Sequence, residues 1–157
     1  MAKVCKNSQE LYNELMERIN KSLLDDVAPM VEKTMLEHIE NDVYRAYSPS
    51  SYMRRGEKDK GLLDPENIIT TPEHDGCISI SNQTLGREFY FYEREPVRSD
   101  NADKPIAEII ETGEGYDYWD NAFPRPFMKN TVDEIKTEKK HIEKLKDGLK
   151  KLGLEVK

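Results

Sequence analysis

The chain has 157 residues, 36% of them hydrophobic and 35% charged, with a formal net charge of −7. That length suits a single domain with an appended element, and no run of about 18 or more apolar residues is present to span a bilayer. The negative balance argues against wrapping a phosphate backbone, because such binding needs clustered Lys and Arg to displace counterions.

Charged residues exceed the roughly 25% of ordinary domains, and Leu, Ile, Val and Phe are correspondingly scarce. The core is therefore expected to be modest, with further apolar surface buried by assembly with partners. Residues 1–7 turn polar at once and lack the apolar stretch of a signal peptide, so synthesis in the cytoplasm is expected. Cys5 and Cys77 lie too far apart in sequence for a CxxC site, and reduced thiols are the default.

Residues 8–45 form a helical arm. Asn7 with Glu10 has capping-box spacing, and Leu11, Leu15, Ile19 and Leu23 recur every four residues, widened by Tyr12 and Met16. Asp25-Asp26 reads as a break or a fresh N-cap that places Pro29 in the first turn of a second helix. The alternative is one long helix kinked at Pro29. Val27, Val31, Met35 and Ile39 continue the stripe.

Residues 46–63 are a polar loop rich in turn formers. Residues 64–127 hold the sheet and a turn region. Strands are expected at 67–71 and 77–82, with Ile78 and Ile80 on one face and Ser79 and Ser81 on the other. A hairpin loop at 72–76, ending Asp75-Gly76, joins them. Residues 89–92 are a third strand candidate. Asp103 is placed to cap a short helix through Ile106, Ile109 and Ile110, closed by Gly113 in the left-handed C′ position. A C-terminal helix over 130–152 begins at Asn130 or Thr131, carries Ile135, Ile142, Leu145, Leu149 and Leu152, and stops at Gly153. The fold class is thus α+β: a small antiparallel sheet flanked by a long N-terminal helical segment and a C-terminal helix, in one domain over 1–157.

No catalytic, cofactor-binding or metal constellation emerges. Phosphate-binding glycine motifs, HExxH and GxSxG are all absent. His38, His74 and His141 fall in separate segments without ligand spacing, and partial burial or solvation accounts for each. Cys77 reads as a half-buried small hydrophobe rather than a nucleophile. Helix capping explains Asp25-Asp26 more simply than a divalent cation does. The basic positions Arg54, Arg55 and Lys58 are interleaved with Glu57 and Asp59, which favours a solvated or partner-facing loop over nucleic-acid recognition. Tyr116, Tyr118 and Trp119 crowd a turn-rich stretch. They serve either to roof the sheet or to make a protein contact, for which such residues are enriched.

Three elements in order resemble the small neck and tail-completion proteins of siphophages, known also as minor tail components. They are the Gly61-Leu62-Leu63-Asp64 step after the arm, the Ile109-Ile110-Glu111-Thr112-Gly113 segment, and Pro124-Arg125-Pro126-Phe127 leading into the last helix. The last is the most specific. Its prolines favour an extended backbone, and Phe127 then acts as a hydrophobic plug fixing the angle of the final helix. This chain departs from the family's commonest form by extra charges at 57–60 and an insertion-like stretch at 87–101. The resemblance implies a structural virion protein, not an enzyme, with no cofactor. It would join head connector to tail or complete the tail tube. Expected partners are other copies in a ring, connector or head-closure proteins, and tail-tube or tail-terminator proteins, with DNA only passing through the lumen and no membrane. The protein interface is expected at Arg54, Arg55, Lys58, Tyr116, Tyr118 and Trp119. Two rival functions are a host-directed inhibitor or antitoxin-like module and a metal-dependent nuclease.

Overall fold

The computed structural model describes residues 6–46, 61–86, 105–114 and 123–156. Helix α1 spans Ser8–Ser22. Its expected cap is present: the Asn7 side chain accepts the Glu10 N–H at 2.8 Å, while the Glu10 carboxylate reaches back to the Lys6 N–H at 2.7 Å. The first of these bonds satisfies an amide that the first helical turn leaves without a partner, and the second ties the residue before the cap to the helix.

Asp25-Asp26 is neither a break nor a fresh cap, which corrects the first of the two sequence readings; the helix is continuous, as in the alternative. The helix continues through a π turn at Leu23–Val27, where the Ala28 N–H donates to the Leu23 carbonyl, and then into α2, Ala28–His38. Pro29 cannot donate to the preceding turn, and widening that turn by one residue carries the chain past the missing bond. A second π turn, Ile39–Tyr44, ends the arm.

After a short 3-10 turn at Pro65–Asn67, β1 runs Ile68–His74 and β2 runs Cys77–Asn82. They pair antiparallel with Thr70 opposite Ile80 and Pro72 opposite Ile78. Directly opposed residues share a face, so Ile68, Ile78 and Ile80 turn together towards the helices and Ser79 and Ser81 turn away, as expected. The hairpin loop, however, is shorter than 72–76. Pro72 and His74 belong to β1, with an irregularity between them. Among the described residues the sheet has these two strands, each with an open edge, where proline is tolerated. The third strand expected at 89–92 lies outside the described residues.

Helix α3, Ile106–Thr112, ends as expected on Gly113 with φ 74°. Asp103, its expected cap, lies outside the described residues. The last helical region differs most from expectation. It begins at Phe127 rather than Asn130 or Thr131, and it is two helices, α4 (Phe127–Glu138) and α5 (Lys140–Lys151), separated by Lys139 at φ 56°. A non-glycine residue in this region costs about 1–2 kcal/mol. The Lys140 ammonium bridges the break by pairing with Glu134 at 2.6 Å and Glu138 at 2.7 Å, both on α4. Gly153 ends α5 as expected.

The core joins the second half of the arm, the hairpin, α3 and the start of α4. Met35 of α2, Ile39 and Val43 of the second π turn, Leu62, Ile68, Ala107 and Ile110 of α3, and Phe127 form one buried cluster. Phe127 is completely buried within it. A separate, tighter contact holds α5 against the first π turn. Here Ser22 donates to the Leu145 carbonyl at 3.2 Å, Lys151 pairs with Asp26 at 2.6 Å, and any Cβ on Gly148 would collide with the Ser22 hydroxyl and the Asp26 carboxylate.

Two expectations follow. Phe127→Ala removes a fully enclosed ring and is expected to cost roughly 3–5 kcal/mol in urea unfolding; a change below about 0.5 kcal/mol, typical of surface positions, would refute the plug. Gly148→Ala would favour an isolated helix by about 1 kcal/mol. In the folded protein it is expected instead to destabilise by about 1–3 kcal/mol, because Ser22 and Asp26 must move.

Candidate functional site

The Pro124-Arg125-Pro126-Phe127 element is a splice between α3 and α4. The Arg125 N–H donates to the Ile110 carbonyl at 2.9 Å, and the Phe127 N–H to the Arg125 carbonyl at 2.8 Å. These bonds drive Phe127 into the core as the first residue of α4. No side chain of the local sequence caps that helix. Glu111 does so from α3, its carboxylate accepting the N–H of Met128 and of Lys129 at 2.9 Å each. A carboxylate at a helix N-terminus also meets the positive end of the helix dipole. Neighbouring spacing could not have revealed this cap, since the partner lies on another helix. Pro124, Arg125 and Pro126 thus lead into α4, whose first residue, Phe127, is buried. Arg54, Arg55, Lys58, Tyr116, Tyr118 and Trp119 lie outside the described residues.

A polar cluster forms where α2 meets α4. His38 Nδ1 faces Asp42 Oδ2 at 2.8 Å and its Nε2 faces Glu134 Oε2 at 3.1 Å. Asn130 donates to the same Asp42 oxygen at 2.9 Å, and Lys140 holds the other Glu134 oxygen at 2.6 Å. The hydrogen bond from Lys140, aided by its charge and by His38, lowers the pKa of the Glu134 carboxyl against the opposing effect of burial. The same contact, with Glu138, raises that of Lys140. His38 is partly buried, as expected. Among the described residues no group of three or more His, Cys, Asp and Glu side chains is arranged to hold a metal ion. Cys77, half-buried, lines a shallow groove with Leu24 and Pro72 beside the hairpin tip.

The apolar face of α1 is used unevenly. Met16 lies against the hairpin tip at Gly76, and Asn20 fastens that tip by accepting the Gly76 N–H at 2.7 Å. Nearer the start of the helix, Leu11, Tyr12 and Leu15 remain 59%, 50% and 40% exposed. Phe123, just before the splice, is 86% exposed. The fourfold spacing in the sequence revealed the stripe, but not which part of it would stay uncovered.

The YomN family model matches residues 7–151, and the chain belongs to that family. It is 35% identical over 142 residues to the SPbeta prophage-derived protein YomN of Bacillus subtilis (strain 168), a match covering 87% of this chain and 86% of that relative. The prophage origin of this relative agrees with the phage origin expected from the sequence. No solved structure matches the chain. Among the described residues no helix is long and apolar enough to cross a membrane.

Because the Glu134 carboxyl has its pKa lowered on folding, the unfolded chain takes up a proton there first as pH falls. Its contribution to stability is therefore present above the unfolded carboxyl's pKa and lost as pH drops through the folded value. Glu134→Gln is expected to flatten the acid limb of the melting temperature against pH. An unchanged acid limb would show that the Lys140 contact adds nothing in solution.

Proposed function

We infer that this YomN-family chain is a non-enzymatic, structural subunit of a phage particle, acting at the neck or the tail end through protein–protein contacts. The observation that carries the reading is the uncovered stripe of Leu11, Tyr12 and Leu15 on α1. A chain with few large apolar residues leaves these in water, and contiguous exposed apolar surface marks a contact site. Leu and Tyr spaced along one helix provide the anchors by which a helix seats in a partner's groove.

Two further observations support it. The relative in Bacillus subtilis is prophage-derived, and the Pro-Arg-Pro-Phe splice resembles that of neck and tail-completion proteins. The splice holds α3, α4 and the core in a fixed relation, which suits a subunit whose angular errors would add up around a closed ring. Arg54, Arg55 and Lys58, with Tyr116, Tyr118 and Trp119, are the further contact positions of this reading. The ring itself, the connector or head-closure proteins, and the tail-tube or terminator proteins are its partners. The protein resides in the virion, and DNA only passes through the lumen.

Deleting the gene from its phage is expected to yield unjoined heads and tails, or tails with defective ends, by electron microscopy. The Leu11→Asp/Leu15→Asp double variant changes only exposed positions and is expected to fold normally yet reproduce that phenotype. Normal infectious particles from the deletion would overturn the reading; altered host growth alongside them would favour a host-directed interaction protein. Normal particles from the double variant alone would remove the α1 stripe from it.

A further inference from the structure

The hairpin turns on Asp75 and Gly76, which lie between the paired residues His74 and Cys77. Gly76 takes the chain round at φ 75°. An Asp-Gly step is chemically vulnerable. The glycine nitrogen can bond to the aspartate Cγ, the carboxyl hydroxyl leaving with the amide proton as water, to close a succinimide ring. Water then reopens the ring. When it breaks the original peptide bond, the product is isoaspartate, whose backbone runs through the former side chain. Glycine offers no side chain to obstruct closure. Both residues are exposed, so burial does not protect them. The chain has a second such step, Asp147-Gly148, but that one lies inside α5, where the helical ladder holds the amide.

At the hairpin tip the restraint comes from another element. Asn20 of α1 accepts the Gly76 N–H on its side-chain oxygen at 2.7 Å, and its amide nitrogen donates to Asp75 Oδ1 at 3.1 Å. One side chain therefore engages the proton that the nucleophile must lose and ties down the carboxylate that must swing onto it. We propose that Asn20 guards the Asp75-Gly76 bond against conversion to isoaspartate, so that the bond is protected only while α1 sits on the hairpin tip. Local opening of α1 frees both reactants together, and ring closure then competes with redocking. Conversion is one-way for the contact. Isoaspartate lengthens the backbone by one methylene carbon and makes the old main-chain carboxyl the side group, so the pair that Asn20 spans is lost. Arg18 on the Leu152 carbonyl and Ser22 on the Leu145 carbonyl remain to hold α1.

The test ages the full chain at neutral pH and follows residues 75 and 147 by peptide mapping with isoaspartate-specific methylation. Folded wild-type protein should convert residue 75 several-fold more slowly than the same chain in urea. Asn20→Ala should remove most of that protection while residue 147 stays protected. Asn20→Asp keeps an acceptor for the Gly76 N–H but replaces the donor to Asp75 with a carboxylate, so its rate should fall between; it decides the matter if Asn20→Ala does not fold. Asp75→Glu should abolish the signal at the tip. Hydrogen exchange of converted wild-type protein should show α1 loosened and the amides around Phe127 still protected. Wild-type conversion as fast as in urea would overturn the proposal, as would folded Asn20 variants that convert at the wild-type rate. A rise at residue 75 that residue 147 shares would trace to global opening and overturn it too.

Discussion

Phe127 is the point at which separate stretches of this chain become one structure. Its ring is completely enclosed by residues from the arm, the turn before the hairpin, α3 and α4. Burying an aromatic ring of this kind is among the largest single contributions available to a small core. It counts for more here because Leu, Ile, Val and Phe are scarce. The surrounding backbone is arranged to keep it there: Arg125 bonds to Ile110, Pro126 sets the approach, and Glu111 supplies the acceptors that α4 would otherwise find only in water. Losing the plug would therefore loosen the start of α4 as well as the core.

The helices outside that centre follow the opposite logic, in which local geometry yields to tertiary contact. The first π turn departs from the regular helical ladder, and Lys139 adopts a backbone conformation that lysine disfavours. Each departure coincides with a polar contact across elements. Asp26 of the π turn meets Lys151 of α5, and Lys140 spans the Lys139 break to Glu134 and Glu138. Exposed ion pairs contribute little individually, so these bridges fix direction more than they add stability. The close approach at Gly148 provides the dispersion contacts that charged side chains cannot.

This division explains what was legible in the sequence. Features set by immediate neighbours were readable: the Asn7 cap with Glu10, the alternation of Ile78 and Ile80 with Ser79 and Ser81, the left-handed Gly113, and Phe127 as a plug. Features set at a distance were not. Nothing near residue 127 announces an N-terminus, because the capping carboxylate stands on α3. Ile135, Ile142, Leu145 and Leu149 fit one continuous stripe, and the pattern carries no sign that Lys139 would interrupt it. Pro72 reads as a loop former because it cannot donate a ladder bond; at the edge of the two strands described, that defect has little consequence. His38 sat at a plausible position for partial burial, but its carboxylate partner on α4 lies far along the chain.

The same scarcity of apolar residues bears on how the surface is used. Where a chain can bury little, one that served only to fold would be expected to spend its Leu and Tyr on the core. Leu11, Tyr12 and Leu15 are instead held out on a helix whose far end is anchored by Asn20 to the hairpin and by Arg18 to the Leu152 carbonyl. Those anchors are polar and directional, and with Met16 against the hairpin tip they fix the pose of α1 while Leu11, Tyr12 and Leu15 stay uncovered. A partner meeting that face would find side chains already ordered by a rigid helix, which lowers the entropic cost of docking.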